Sequence, residues 1–125
     1  VVCQYIDLAH KTWHAGKFNK NSVGVDICQQ PVYKWSSRYK DMGYDIKKIK
    51  NPTDRGNVNI LSIEPRIAKA AEAFVRDLLF ILELKENAPN HHGVVNDVTP
   101  YTLVGHHHLT SKKWDIACWW DDIFS

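Results

Sequence analysis

The densest chemistry in the chain lies near its C-terminal end, in Gly105-His106-His107-His108-Leu109-Thr110-Ser111-Lys112-Lys113-Trp114-Asp115. A hydrolytic zinc site needs neutral imidazole nitrogens and carboxylate oxygens around the ion, with one position open to water. His106 and Asp115 are the candidate ligands. Lys113 adds a cation able to steady the oxyanion that forms when water attacks a carbonyl. Each also has an ordinary reading. A histidine run can be a polar surface cluster, Asp115 can cap a helix beginning at Ile116, and Lys113 can be a solvated lysine. His107 and His108 cannot aim at one point together with His106; His107 is expected beside the substrate, and either neighbour can orient a ligand.

The segment follows an apolar run, Tyr101-Thr102-Leu103-Val104-Gly105, that reads as a short strand ending in glycine, a usual setting for site loops. A second pattern lies upstream. Ser22 to Cys28 alternates, with Val23, Val25 and Ile27 on one side and Ser22, Gly24 and Asp26 on the other, which predicts a strand with Asp26 opposite its apolar face. Ahead of it stand Trp13-His14-Ala15-Gly16 and Asn21. Trp13 offers a flat apolar surface or a core side chain, and His14 a hydrogen-bonding ring.

These two motifs, in this order, resemble the type 2 N-acetylmuramoyl-L-alanine amidases and their relatives, the peptidoglycan recognition proteins. The matching residues are Trp13-His14-Ala15-Gly16 with Asn21-Ser22-Val23-Gly24-Val25-Asp26, then Gly105-His106 with Lys113-Trp114-Asp115. The resemblance implies an α/β domain, a central mixed sheet with helices packed on its faces. It also implies zinc held by His106 and Asp115, Asp26 as the group that takes the proton of the attacking water, and Lys113 on the oxyanion. Trp13, His14, Asn21 and His107 would line a groove for peptidoglycan or muropeptide. The implied activity is hydrolysis of the amide between N-acetylmuramic acid and L-alanine, outside the cell, in the periplasm or in phage lysis. The alternative is a recognition module that binds the wall without cutting it.

The chain departs from the family pattern at several points. Asp26 stands where glutamate is frequent, Ile116-Ala117 where Pro-Gly is usual, and the loop from His106 to Asp115 is a residue shorter than is common. Two protein ligands are too few for a catalytic zinc, which keeps three. His10 and His14 are other imidazoles on the chain, but the resemblance implies a third ligand on a strand ahead of Val1. Residues 1–125 are therefore expected to form a single amidase-like domain, incomplete at its N-terminus, with a separate or preceding segment supplying that histidine.

The totals agree with one modest core: 125 residues, 44% hydrophobic and 24% charged. A net charge of +2 implies no nucleic-acid partner, although seven Lys or Arg against three Asp make Lys34 to Arg55 locally basic. Three cysteines without close spacing do not make a full disulfide framework. Cys118 reads as a soft ligand or, more simply, as a buried apolar side chain. No apolar run is long enough to span a bilayer.

The elements that must position these groups are few. Val1 to Leu8 reads as a strand, and Gln29 to Asn59 shows no sustained period. A helix is predicted from Pro65 to Lys85, with Ile67, Ala71, Phe74, Val75, Leu78, Ile81 and Leu82 on one face. Asn87 to Val98 reads as a polar connection, and Trp114 to Phe124 as a short aromatic segment.

Overall fold

The computed structural model describes residues 4, 10–11, 13–28, 36–50, 57–113 and 116–124. They form a small mixed α/β protein: helix α1 (Ser36–Asp41), strands β1 (Ile46–Lys50) and β2 (Asn57–Leu61), then helices α2 (Pro65–Ile81), α3 (His106–Leu109) and α4 (Trp120–Phe124). A single 3-10 turn, Gly16–Phe18, precedes them.

Among the described residues the sheet has two strands, antiparallel, with Ile46 opposite Leu61 and Lys50 opposite Asn57. This differs from the central mixed sheet expected from the sequence. Strand β1 and the start of β2 lie in the stretch that showed no period, because the Ile-Lys-Lys-Ile-Lys of β1 does not alternate strictly. The predicted strand over 22–28 runs without a ladder, and Val23 and Val25 are exposed. Alternation marks a face only when a partner strand takes the backbone groups. The predicted strand over 101–105 is likewise irregular, because the Thr102 and Leu103 amides both donate to the Asn87 carbonyl, at 2.9 and 3.2 Å. The strand expected over 1–8 lies outside the described residues, save for Gln4.

Helix α2 begins where the sequence places it, with Pro65 in the first turn, where its missing N–H costs nothing. It stops at Ile81, four residues early. The Leu84 amide donates back to the Leu79 carbonyl and the Glu83 amide to Phe80, with Glu83 at φ 57°. These are the two hydrogen bonds of a Schellman stop. The same closure ends α1, where Tyr44 donates to Tyr39 and Gly43 to Lys40, with Gly43 at φ 89°. Glycine announces such a stop in sequence; glutamate does not. At the early end, Ile81 and Leu82 lose their place on the apolar face, and Phe80 is 83% exposed.

The core gathers Ile60, Ile63, Ala68, Trp119 and Ile123, with Ile27, Ile67, Ala71, Ile116, Cys118 and Phe124 packed around them. Each aliphatic or aromatic side chain fully buried there contributes roughly 1.5–3 kcal/mol. The Trp119 indole N–H donates to the Leu61 carbonyl at 2.9 Å, fastening the C-terminal segment to the end of β2. Ile27 and Ile116 therefore lean on one cluster from distant parts of the chain. Among the described residues no helix is long and apolar enough to cross a membrane.

Candidate metal centre

Helix α3 starts at Gly105, whose backbone is extended at φ −82° and ψ 158°. The third helical position is His108, and its Nδ1 accepts the Gly105 N–H at 2.9 Å. An imidazole thus takes the part that Glu or Gln plays in a capping box. Its Nε2 lies 2.8 Å from the His91 carbonyl. The two contacts assign the tautomer: Nδ1 accepts, and Nε2–H donates. The Val95 amide donates to the His108 carbonyl at 2.9 Å, so the connection after α2 is drawn over the short helix.

Gly105 matters for a second reason. A Cβ there would sit 2.5 Å from Cε1 and 2.6 Å from Nδ1 of His107, and 3.0 Å from Cγ2 of Ile116. The missing side chain is what lets the His107 ring lie against the backbone.

His107 is 1% exposed and His108 0%. Neither ring nitrogen of His107 has a partner, and Nδ1 of His92 is also buried without one. Burial, then the neighbouring His108 and His92, push the His107 pKa down to about 3, so the ring is neutral at ordinary pH. Burial also lowers His108, against an opposing contribution from its bond to the His91 carbonyl. Each unpaired buried polar atom costs about 1–3 kcal/mol, whereas a satisfied hydrogen bond is worth about 0.5–1.5 kcal/mol net.

The three rings are close. His92 and His107 stack with centroids 5.7 Å apart, and His107 and His108 lie 3.9 Å apart. One nitrogen from each of His92, His107 and His108 falls within 4.8 Å of the other two. These three histidines could hold a metal ion. Ligands about 2.0–2.1 Å from a tetrahedral zinc stand roughly 3.3 Å from one another, so a modest closure of the rings is needed. Nε2 of His92 faces Oδ2 of Asp121 at 3.2 Å, a carboxylate that fixes the ring and leaves Nδ1 turned inward. Outside the cluster opens a cleft of about 270 Å³, lined by Pro89, His91, His92, Trp120, Asp121 and Phe124 among others.

No family model, curated protein or solved structure matches this chain. Its chemistry is therefore read from its own residues.

The residues singled out in the sequence differ in their burial, and some lie outside the described residues. His106 opens α3 and is half-buried, and Lys113 is exposed in the turn that follows. Asp115 and Trp114 lie outside the described residues. His107, expected beside the substrate, is instead enclosed with His92 and His108, because the extended Gly105 backbone turns its ring inward. Trp13 is 89% exposed, with the Lys11 ammonium 5.5 Å above its ring. Asp26 and Asn21 are exposed.

His14 joins the two halves of the upstream motif. Its ring lies on Gly24, where a Cβ would be 2.8 Å from Cγ. Its Nε2 is 2.8 Å from the Ser22 hydroxyl, which itself donates to the Phe18 carbonyl at 2.7 Å. The serine proton being committed to Phe18, His14 Nε2–H is the donor. Asn19, 4% exposed, accepts the amides of His14 and Ala15 on Oδ1 at 3.0 and 2.7 Å. The sequence pointed to Asn21, but Asn19 holds the loop. Sequence reasoning also passed over His91-His92 and Asp121. The available signal was a pair of adjacent imidazoles in a short polar connection, ahead of the three at 106–108. Cys118 packs half-buried on the core, with burial pushing its thiol up to about 11, which favours the apolar reading over the ligand reading.

Proposed function

We propose that this protein is a zinc-dependent amidase that hydrolyses the amide bond between N-acetylmuramic acid and L-alanine in peptidoglycan. The observation that carries the reading is that the residues directly following the two motifs pack on one core. Ile27, next in sequence to Asp26, and Ile116, next to Asp115, pack against the same cluster. A site assembled from both motifs needs that common support, since reacting groups must be held to within a fraction of an ångström.

In this reading His106 and Asp115 would hold zinc together with a third protein ligand. The bound ion would supply Lewis acidity, lowering the pKa of water and polarising the scissile carbonyl. Asp26, which is exposed, would take the proton from the attacking water and return it to the departing L-alanine nitrogen. The Lys113 ammonium, on the exposed turn after α3, steadies the oxyanion. Trp13 gives a flat apolar surface to a sugar ring or stem peptide. His14 positions the loop through Ser22, and His107 is too enclosed to meet substrate.

The short Asp26 carboxylate and the open Trp13 surface also fit a module that binds wall without cutting it. Release of free amino termini from purified peptidoglycan, with and without a chelator, separates the two. The amidase releases them only with metal present, and Lys113→Ala lowers the turnover about 10²–10³-fold. Sedimentation with the wall and no chelator-sensitive release would select the binding module.

A further inference from the structure

We propose that His92, His107 and His108 form a second divalent-metal site, distinct from the His106 and Asp115 pair, which ties the connection after α2 to helix α3. Among the described residues, the buried side-chain atoms without a partner are Nδ1 of His92 and both ring nitrogens of His107. All three belong to one cluster, and the ligand atoms of the trio already lie within 4.8 Å. Orphaned nitrogens scattered through a fold would signal poor packing. Gathered at one point, they form a donor set for one electrophile.

The protonation pattern supports a cation rather than a water or an anion. Asp121 receives the Nε2–H of His92, so the lone pair of that ring sits on Nδ1, the buried atom. His107 presents both ring nitrogens unpaired, either of which can turn a lone pair to an ion according to its tautomer. His108 completes the set by releasing the Gly105 N–H from its Nδ1, exchanging one neutral hydrogen bond for a coordinate bond. Its Nε2–H stays on the His91 carbonyl and keeps the ring aimed. The cleft beside His92 leaves room for a solvent ligand in the fourth position.

Three imidazoles select a borderline d-block ion such as zinc over magnesium or calcium, which demand oxygen donors. The consequence is structural. Val95 and His91 are already hydrogen-bonded to His108, and the ion would close the same junction.

The test uses the full chain, stripped with chelator and titrated with Co(II), read by visible absorption and calorimetry, with Mg(II) as the control ion. The expected result is tetrahedral-type absorption at one equivalent, retained in His106→Gln and weakened at least 100-fold in His92→Gln. Asp121→Asn, an exposed change, should weaken binding about 10–100-fold without altering the circular dichroism. Zinc should raise the unfolding midpoint of wild type and His106→Gln, but not of His92→Gln. Unchanged Co(II) affinity in His92→Gln, or loss confined to His106→Gln, would overturn this site while leaving the amidase reading standing. Loss of wall cleavage in His106→Gln, with Co(II) absorption kept, would support both sites, whereas undiminished cleavage in that variant with Co(II) absorption kept would overturn the amidase reading and leave this site standing.

Discussion

His14 and His107 each lie against a glycine, and their surroundings could hardly differ more. His14 rests on Gly24 in an open loop, and its Nε2 donates to Ser22. His107 rests on Gly105 inside the molecule, and neither of its nitrogens is paired. Both contacts depend on the absent Cβ. In the first region local hydrogen bonds satisfy the polar groups, as Asn19 does for the amides of His14 and Ala15. In the second, three rings are brought together from segments more than a dozen residues apart, and the polar debt is left outstanding. Unpaired buried groups of this kind persist in natural proteins where they serve a ligand or a reaction. The difference separates a loop built to hold its shape from a cluster built to hold something else.

The sharpest way to break the comparison is at the glycines. Gly105→Ala should cost about 2–4 kcal/mol, since the new methyl must displace an enclosed ring and Ile116. Gly24→Ala should cost about half as much, because the His14 ring can swing toward solvent at the expense of the Ser22 bond. Denaturant unfolding of both variants measures the ratio. Equal losses would mean that the two rings are equally confined.

His107→Leu should act in the unusual direction. Replacing an unpaired buried imidazole by an apolar side chain of similar size should stabilise the metal-free protein by about 1–3 kcal/mol, while abolishing metal binding. His14→Leu should destabilise, since Ser22 loses its donor. The pH dependence follows the same division. The folded-state pKa of His107 lies near 3, below the 6.5 of a free histidine. The unfolded chain therefore binds a proton that the folded chain refuses. The favourable contribution is complete above pH 6.5 and is lost as pH falls from there toward 3. Unfolding midpoints of the chelated protein should drop across that window and flatten in His107→Leu.

A smaller effect tests the loop. Asn19→Ala should cost about 1–2 kcal/mol by leaving two amides unpaired, whereas Asn21→Ala should stay within about 0.5 kcal/mol. Smallest in energy is the contrast between the cysteines. Cys28 is exposed and Cys118 packs on the core with a raised pKa, so an alkylating reagent at neutral pH should modify Cys28 well before Cys118.

Legibility followed the range of the forces involved. Helix α2 could be read from Pro65 and the spacing of Ile67, Ala71, Val75 and Leu78, because a helix closes its own hydrogen bonds. Its end could not, because Glu83 in a left-handed conformation carries no mark in sequence. The alternating run at 22–28 and the apolar run at 101–105 misled, since a strand exists only with a partner, and in the second run Asn87 took the backbone donors. Among the candidate residues, His106 and Lys113 stood out in sequence as residue types in a motif. His92 and Asp121 did not, since nothing near them in sequence says that they meet His107.

The sequence by itself determined the chemical inventory: which imidazoles, carboxylates and ammonium groups exist, which helix is amphipathic, and which glycines can sit beside a ring. The tertiary structure alone decided which imidazoles are neutral and enclosed and which are spent on hydrogen bonds. That decision rests on desolvation and on contacts between distant segments, neither of which is a property of neighbouring residues.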